Sequence, residues 1–389
     1  MDSRPLAGLR ILEMGAYISA PYAGALLCAL GADVVKVEPP GAGDAFRRGM
    51  GESSPYFVQY NTGKKSLAVN LKDPAGVELI KALLPSFDVI LENYRPGKME
   101  ALGLGPDACR AINPQLIYAS VSGFGNGGPL RDRPAYDTIG QSMGGLYSVL
   151  NDADAPRLTG TCLADIVTAV AAAMGVLAAL VGRERDPSRA GTLLETSLLE
   201  AVSMVTIDAV TQMHDMGAEP TRESRHPQAQ NFCLKTKTGE SIAIHLSSSQ
   251  KFWQALVSAL RREDLSADPR FSKYFSRMEN FQALKAILEQ EFAKRSLAEA
   301  SALLNSADVP FAPVMPLSDL LKHPQIEWLQ LMEKETDHQG IVRPPWRFAG
   351  KRPSRSQPPP RVGEHTSEIA AQAYDQATID VLRSRGTVA

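Results

Sequence analysis

Apolar and polar positions along the first 120 residues alternate in a way that predicts strands and helices in turn. From Gly8 an apolar strand is followed by a loop of small residues, a helix and a second strand, which together form a βαβ unit. A second round begins at Lys65 and runs through an amphipathic helix near 79–84 to a strand at 89–91, and another strand spans 116–120. Because strands alternate with helices, we expect an α/β fold whose parallel sheet is covered on both faces.

The longest apolar segment of the chain lies at 166–182. Its length approaches that of a membrane span, but Thr168 and Gly175 interrupt it, and Asp165 and Arg183 flank it. We interpret the segment as a buried helix and expect no association with a membrane.

The second half of the chain predicts a smaller domain. A polar stretch at 216–230, broken by two prolines, is the predicted linker. Beyond it a strand at 241–245 and amphipathic helices at 252–260 and 284–292 indicate an α+β unit. The expected division is therefore a large domain at 1–215, the linker at 216–230, a small domain at 231–320 and a final segment at 321–389. Within that segment, the Pro- and Arg-rich part at 343–361 is predicted to lack regular structure and receives no role.

Composition narrows the classes of function. The 389 residues include 41 Lys and Arg against 43 Asp and Glu, and a net charge of −2 argues against a nucleic-acid-binding protein. Hydrophobic residues at 44% and charged residues at 22% are typical of a globular chain. Four cysteines lie far apart and six histidines show no ligand spacing beside them, so neither disulfides nor a metal site is predicted. The first residues lack the apolar stretch of a secretory signal, which makes the cytoplasm the expected location.

The loop at 15–21 follows the first strand, at the carboxyl end where a doubly wound sheet binds ligands. It lacks the GxGxxG pattern, which disfavours a dinucleotide-dependent dehydrogenase. A tight connection made of small residues and the wall of a ligand cleft are equally compatible with it.

Asp165 stands directly before the longest apolar helix. One interpretation is a helix N-cap, and from the pattern alone this is favoured. The other is a carboxylate nucleophile, which the helix N-terminus would keep ionised near neutral pH. The two roles are compatible with each other.

Two further clusters combine groups suited to chemistry or binding. Tyr136 and Asp137 lie among glycines, which suits a loop with local hydrogen bonds or a site that brings backbone donors to an oxyanion. Tyr94 and Arg95 follow a strand end, as Lys72 follows another, and such residues could stack on an adenine and pair with phosphates or simply be solvated.

Taken together, these segments resemble the class III CoA-transferase family, which includes carnitine CoA-transferase, formyl-CoA transferase and α-methylacyl-CoA racemase. The similarity runs in order from residue 8 to about residue 370, and Asp165 matches the family's nucleophilic aspartate. The blocks that carry it are GLRILEMG from Gly8, LGADVVKVEPPGAGDAFR from Leu30, KKSLAVNLKDPAG from Lys64, DVILENYRPGKMEALGLG from Asp88, LIYASVSGFGNGGP from Leu116, PAYDTIGQSMGG from Pro134, LADIVTA from Leu163 and GEHT from Gly363.

The resemblance implies a Rossmann-like large domain built from both ends of the chain, a small domain between them, and two chains that form an interlocked homodimer. It implies CoA and acyl-CoA as substrates, with no tightly bound cofactor. The residues that it places around CoA are Ala16, Tyr17 and Ile18 near the thioester, and Leu71, Lys72, Asn93, Tyr94, Arg95 and Lys98 near the nucleotide and phosphates.

The implied chemistry is the transfer of CoA between an acyl-CoA and a small carboxylic acid, with dicarboxylates such as succinate or an itaconate-like acid among the expected substrates. Asp165 would form a covalent intermediate, with Tyr136 and Asp137 as further catalytic residues. The small domain is the expected shield that keeps water from this intermediate.

Departures from the family pattern narrow this expectation. Tyr136 and Asp137 replace the His-Asp pair of the racemases, which favours a transferase. HLSSSQ from His245 replaces the glycine-run loop of formyl-CoA transferases, which disfavours oxalate as the acceptor. Pro39 and Ala101 occupy positions where some members carry Arg. Candidate replacements for that phosphate clamp are Arg47, Arg48 and Lys98.

Two alternatives remain open at this point. One is an isomerase of α-methylacyl-CoA that uses Asp165 and Asp137 as acid and base. The other is a CoA-binding or partner-binding protein without catalysis, in which Asp165 is a helix cap.

Overall fold

The computed structural model describes residues 4–333, 340–355 and 357–389. The expected ranges 1–215, 321–389 and 343–361 each contain residues outside that description. The chain divides into two compact units. The first comprises the chain up to Tyr147 together with Arg157–Asp208 and Pro324–Ala389, and the second comprises Ser148–Pro156 and Ala209–His323.

The first unit is built on a parallel sheet of six strands in the order β3-β2-β1-β4-β5-β6. The predicted α/β class is therefore confirmed. The strands are β1 (Arg10–Met14), β2 (Asp33–Glu38), β3 (Lys65–Ala68), β4 (Val89–Glu92), β5 (Ile117–Ser122) and β6 (Leu193–Ser197). The order reverses between β1 and β4, which is the point where sheets of this kind bind their ligands.

Helices connect and cover the strands of both units. In chain order they are α1 (Ser19–Ala29), α2 (Pro55–Asn61), α3 (Pro74–Leu83), α4 (Lys98–Ala101), α5 (Pro106–Ile112), α6 (Asp137–Met143), α7 (Leu146–Leu150), α8 (Leu163–Arg185), α9 (Leu198–Ser203), α10 (Ile207–Met216), α11 (Arg225–Ala229), α12 (Gln250–Leu260), α13 (Glu263–Ala267), α14 (Tyr274–Glu279), α15 (Phe281–Phe292), α16 (Leu297–Ser306), α17 (Leu317–Leu320), α18 (Pro324–Trp328), α19 (Thr366–Ala370) and α20 (Gln376–Ser384). Short 3-10 turns lie at Ala45–Arg47, Gly51–Ser53 and Leu84–Ser86.

Successive side chains of each strand enter the two faces of the sheet. Leu12 packs with Leu79 of α3 and Ile379 of α20 in one core, whereas Ile11 packs with Leu27 of α1 and Ala172 of α8 in the other. The alternation has a period of two residues, as the geometry of a strand requires. Burial on both faces accounts for the apolar residues that β1, β4 and β5 place on either side of the sheet.

Helix α8 is long and apolar enough to span a membrane by length and composition alone. Ala169, Ala172 and Val176 are buried against the sheet and α1. Val170, Met174 and Val181 on the same helix are exposed. The prediction of a buried helix therefore holds for one face of α8 only.

The second unit contains an antiparallel sheet in the order β7-β8-β9, formed by β7 (Asn231–Lys235), β8 (Ser241–His245) and β9 (Phe311–Pro313). Its core includes Trp253 of α12 and Leu284 of α15. The structure thus contains the predicted strand at 241–245 and both predicted helices. The stretch 216–230, predicted as a linker, includes helix α11.

The C-terminal segment pairs with the edge of the large sheet. The backbone N–H of His365 donates to the carbonyl of Ser66, and Val388 forms a bridge with Val69, just beyond β3. Ile379 and Leu382 of α20 complete the core on that side. Residues far apart in the chain therefore close this edge of the sheet.

Candidate active site

A cleft of about 280 Å³ opens where β1, β4 and β5 end. This edge includes the reversal point of the strand order, so the fold itself creates the concavity. Its walls are Ala16, Tyr17, Ser19, Asn93, Tyr94, Arg95, Pro96, Val121, Ser122, Gly123, Arg131, Arg133, Ala135, Tyr136, Asp165 and Leu198.

The first loop is clamped by one side chain from the neighbouring strand. Asn93 Oδ1 accepts from the N–H of Ala16 at 3.0 Å, and Asn93 Nδ2 donates to the carbonyl of Ala16 at 2.9 Å and to Ser19 Oγ at 3.0 Å. A Cβ at Gly15 would lie 3.0 Å from Asn93 Oδ1 and 2.8 Å from the Cβ of Ala20, so glycine allows this close approach. Asn93 therefore shapes the loop in addition to lining the cleft.

Tyr17 has a left-handed backbone conformation with φ of 66°, which residues other than glycine rarely adopt. Its ring meets that of Tyr136 edge to face at 5.6 Å. Burial, followed by a hydrogen bond to Tyr136, raises the pKa of the Tyr17 phenol. The two phenols stand together as one wall of the cleft, and 60% of the Tyr136 side chain remains exposed to a ligand.

Asp165 lies in the first turn of α8 and lines the cleft. Burial, with a smaller contribution from the charge of Asp137, raises the pKa of its carboxyl to about 7. The sequence predicted that the helix N-terminus would keep Asp165 ionised near neutral pH, whereas burial and the like charge of Asp137 oppose ionisation there.

Asp137 caps α8. Its Oδ1 accepts from the N–H groups of Ala164 at 2.9 Å and of Asp165 at 3.3 Å, while Cys162 occupies the N-cap position without a side-chain cap. The interpretation of Asp165 as the N-cap is therefore wrong. The cap comes from a residue 27 to 28 positions away, which leaves the Asp165 carboxyl free to face the cleft.

The second oxygen of Asp137 is also engaged. Gln141 Nε2 donates to Asp137 Oδ2 at 2.6 Å, and Gln141 Oε1 accepts from Thr159 Oγ1 at 2.7 Å. Gln141 is fully buried. This chain of hydrogen bonds fixes the orientation of Asp137 and commits both of its oxygens to structure.

Three arginines are among the described residues that line the cleft. Arg95 was predicted from the sequence, whereas Arg131 and Arg133 were missed. Arg131 Nε donates to the carbonyl of Asn126 at 3.0 Å, and its Nη1 lies 3.0 Å from Asp132 Oδ1. Their place in the sequence could have indicated them, since both arginines lie within five positions of Tyr136, a predicted site residue.

A buried network of ion pairs lies beneath the first loop. Lys36 Nζ contacts Glu13 Oε1 at 3.0 Å, Asp44 Oδ2 at 2.8 Å and the carbonyl of Gly15 at 2.7 Å. Lys64 Nζ contacts Glu13 Oε2 at 2.5 Å. Burial lowers the pKa of Lys64 to about 8, although Glu13 opposes this shift. The network ties the loop to β1 and β2.

Arg47 belongs to a second buried pair and not to the cleft. Its guanidinium makes two hydrogen bonds to the Glu38 carboxylate, at 2.8 Å and 2.7 Å, and donates to the carbonyl of Pro360. It is 1% exposed. Because these contacts occupy it, Arg47 cannot replace the missing phosphate clamp.

The remaining predicted residues lie elsewhere on the first unit. Ile18 is buried at the start of α1, and Leu71 packs against the core. Lys72 and Lys98 are exposed and are not among the described walls of the cleft. Among the described residues, His, Cys, Asp and Glu form no group of three or more that could hold a metal ion.

The model of the CoA-transferase family III matches residues 6–366 of the chain. The chain belongs to this family. It is 31% identical over 400 residues to the succinyl-CoA:glutarate CoA-transferase of Mus musculus, which covers 99% of the chain and 90% of that protein. It is 34% identical over 327 residues to the acetyl-CoA:oxalate CoA-transferase of Acetobacter aceti, which covers 82% of the chain and 83% of that protein.

Solved structures agree with this membership. A CAIB/BAIF family protein from Brucella suis superposes with a TM-score of 0.81 at 30% identity, over 96% of this chain and all of that one. This member of family III is accordingly an acyl-CoA:carboxylate CoA-transferase, and acyl-CoA thioesters are its substrates.

Proposed function

We propose that this class III CoA-transferase exchanges CoA between an acyl-CoA and a small dicarboxylic acid through a covalent intermediate on Asp165. One observation carries the proposal: among the described residues that line the cleft, Asp165 is the one carboxylate. Its backbone is fixed by Asp137, and its own carboxyl faces the space where a thioester would lie.

The exchange needs four substitutions at carbonyl carbon. An oxygen of the Asp165 carboxylate attacks the acyl carbon of the thioester, the C–S bond breaks, and CoA leaves as a thiolate from a mixed anhydride. The thiolate then attacks the aspartyl carbon and releases the donor acid, which leaves an aspartyl-CoA thioester. The acceptor carboxylate attacks that thioester and displaces the thiolate again. The thiolate finally takes the new acyl group and regenerates Asp165, so no net proton or co-reactant is consumed.

The surroundings of Asp165 support this role. A carboxylate whose pKa is raised to about 7 is a better nucleophile than one with the ordinary value near 4, yet about half of it is ionised at pH 7. Holding the thioester against it contributes further, since well-oriented groups gain about 7–11 kcal/mol over free reactants. Binding of the CoA tail is therefore part of catalysis.

The walls of the cleft suit that tail. Tyr94 is partly exposed and offers a ring for the adenine, and Arg95, Arg131 and Arg133 offer guanidinium groups for phosphates. We propose that Arg131 and Arg133 supply part of the clamp that Pro39 and Ala101 lack. Lys72 and Lys98 remain candidates for the outer phosphates.

The proposed substrate class, a small dicarboxylic acid, is supported by the charge of the cleft and by the substrates for which the relatives are named. The relatives are named for glutarate and for oxalate, both dicarboxylates. Among the described walls of the cleft, three arginines outnumber one carboxylate, so the cleft attracts anions in general, dicarboxylates included. These observations support a dicarboxylate as donor or acceptor.

We also propose that the enzyme acts as a homodimer. The exposed face of α8, with Val170, Met174 and Val181, is apolar and belongs to an otherwise well-packed unit. Apolar faces of this kind mark contacts with another chain. A cytoplasmic site of action stays a prediction.

The isomerase alternative is not favoured. It needs a second group that exchanges a proton with the α-carbon, but both oxygens of Asp137 are held by the α8 amides and by Gln141. Deuterium incorporation at the α-carbon in the absence of an acceptor acid would support it.

The test of the covalent step uses succinyl-CoA with a panel of carboxylic acids. Asp165→Asn is expected to lower the exchange rate by about 10³-fold or more, since the nucleophile is removed. Hydroxylamine added during turnover is expected to modify Asp165 in the native enzyme. Asp107→Asn is the matched control, because Asp107 is an exposed aspartate in the first turn of α5. Full exchange by Asp165→Asn would contradict the proposal.

A further inference from the structure

Arg48 is an unusual cation on the loop that follows β2. It ends the short turn Ala45–Arg47 in a left-handed backbone conformation with φ of 46°. Its guanidinium carbon stands 3.9 Å from the ring centroid of Tyr56 and 5.4 Å from that of Phe46. The side chain is exposed, yet two aromatic rings hold its charged end in one place.

The contrast with its neighbour indicates that Arg48 has a different task. Arg47 is buried and paired with Glu38. Arg48, one position later, has no carboxylate within ion-pair distance in the part of the chain that the structure describes. A cation that is held by rings but lacks an anion is ready to accept one from a ligand.

A continuous set of aromatic contacts joins Arg48 to the cleft. The Phe46 ring meets the Tyr17 ring edge to face at 5.3 Å, and Tyr17 lines the cleft together with Asp165. Arg48 is near enough to Tyr17 that its charge opposes the rise in the pKa of that phenol, a rise caused first by burial. Tyr60, whose ring lies 6.3 Å from that of Phe46, also feels the charge of Asp165. The aromatic cluster thus adjoins Asp165 on one side and Arg48 on the other.

We infer that Arg48 binds the second carboxylate of a dicarboxylate acyl group whose first carboxyl reacts at Asp165. The inference rests on the proposed function and names the residue that selects its substrate class. A planar guanidinium pairs with a carboxylate through two parallel hydrogen bonds, and the stacked rings reduce the freedom that it loses on binding. A monocarboxylic acid of the same length leaves this cation without its partner and is therefore a poorer substrate.

The test compares two acceptors of equal chain length, succinate and butyrate, with acetyl-CoA as donor. In the native enzyme kcat/KM is expected to be higher for succinate. Arg48→Gln is expected to lower the ratio of kcat/KM for succinate to that for butyrate by about 10- to 100-fold, which corresponds to a hydrogen-bonded charge pair. The KM for acetyl-CoA is expected to stay unchanged.

Arg270→Gln is the matched control. Arg270 is also an exposed arginine over an aromatic ring, 4.8 Å from the centroid of Phe271, but it belongs to the second unit and is paired with Asp268. Its loss is expected to leave the ratio unchanged. Arg48→Lys keeps the charge without the fork and is expected to give an intermediate ratio, so it provides a test even where Arg48→Gln does not fold.

Three outcomes overturn the inference. The first is an unchanged succinate-to-butyrate ratio of kcat/KM in folded Arg48→Gln. The second is a rise in the KM for acetyl-CoA without a change in that ratio, which would make Arg48 a phosphate contact. The third is a native enzyme that prefers butyrate to succinate. A native enzyme that transfers CoA to neither acid nor to any other carboxylate, or that is insensitive to Asp165→Asn, would instead contradict the proposed function.

Discussion

Two groups of charged side chains lie at the same edge of the large sheet but in opposite surroundings. Beneath the first loop, Glu13 is fully buried and pairs with two buried lysines, Lys36 and Lys64. In the cleft beside them, Asp165 is largely buried without an ion-pair partner among the residues that the structure describes, and Arg133 is exposed. The first group consists entirely of mutual partners, whereas the second is complementary to an anionic ligand that carries an acyl group.

The difference between the two groups indicates how charged residues that stabilise the fold can be distinguished from those that bind or react with a substrate. A buried charge costs several kcal/mol unless a partner compensates it, so the buried network persists only because its members are matched. An exposed charge such as that of Arg133 carries a smaller cost. The burial of Asp165 is compensated by no cation among the residues that the structure describes, and its cost is expressed as the raised pKa of the carboxyl. Position at the carboxyl edge alone therefore does not identify a functional residue, and the partner of each charge decides.

The largest effect is expected from breaking the buried network. Glu13→Gln removes the carboxylate shared by Lys36 and Lys64, and we expect the free energy of unfolding to fall by about 3–5 kcal/mol. Urea denaturation followed by circular dichroism measures this change. Glu368→Gln, which removes the exposed partner of Lys65, is expected to cost less than about 1 kcal/mol. Equal losses in the two variants would contradict the distinction between the two groups.

The next effect concerns the pH dependence of exchange. Because Asp165 attacks as a carboxylate and its pKa is raised to about 7, kcat/KM is expected to rise with pH and to reach half its maximum near pH 7. Asp137→Asn keeps an acceptor for the α8 amides but removes the like charge, which lowers the pKa of Asp165. The rise is therefore expected to move to lower pH by about one unit, which increases the relative rate at pH 6 by about fivefold.

A pH profile of Asp137→Asn that coincides with the native profile would show that the charge of Asp137 does not act on the nucleophile. A shift to higher pH would contradict the direction expected for the effect of the Asp137 charge on Asp165. Asp107→Asn serves again as the control, because Asp107 lies in another helix and outside the cleft.

The smallest effect is expected from one cleft arginine. Arg133→Gln is expected to raise the KM for acyl-CoA by about three- to tenfold at low salt, with kcat nearly unchanged, since it removes one phosphate contact. The dependence of KM on KCl concentration is expected to weaken as well. Arg361→Gln, which removes an exposed arginine outside the described walls of the cleft, is expected to change neither quantity.

Much of the large unit could be predicted from its pattern of apolar residues. The runs that become β1, β2 and β4 are short, contain several valine, isoleucine or leucine residues and are separated by helical segments, so local propensity and tertiary packing agree there. Strand β6 was not predicted, because at 193–197 it is followed at once by α9 and the two together form one apolar segment. The periodicity of apolar residues alone does not show where the strand ends and the helix begins in such a segment.

The site was predictable only where the family resemblance reached it. Asp165, Tyr136 and Asn93 stand in recognisable blocks, and all three line the cleft. The cap that Asp137 provides, the pairing of Arg47 with Glu38 and the place of Arg133 depend on contacts between distant segments. A local sequence pattern can locate a helix or strand, but it does not determine how distant elements pack. Contacts that depend on that packing could therefore not be predicted.

The pairing of Val69 with Val388 sets the order in which this protein can be completed on the ribosome. Strand β3 is an edge of the sheet, and the segment around Val388 that covers it is translated after the second unit. The second unit, whose contacts lie mainly within 209–323, is translated earlier and is free to fold meanwhile. Until α20 and Val388 have been translated, the open edge of β3 is a place where nascent chains can associate.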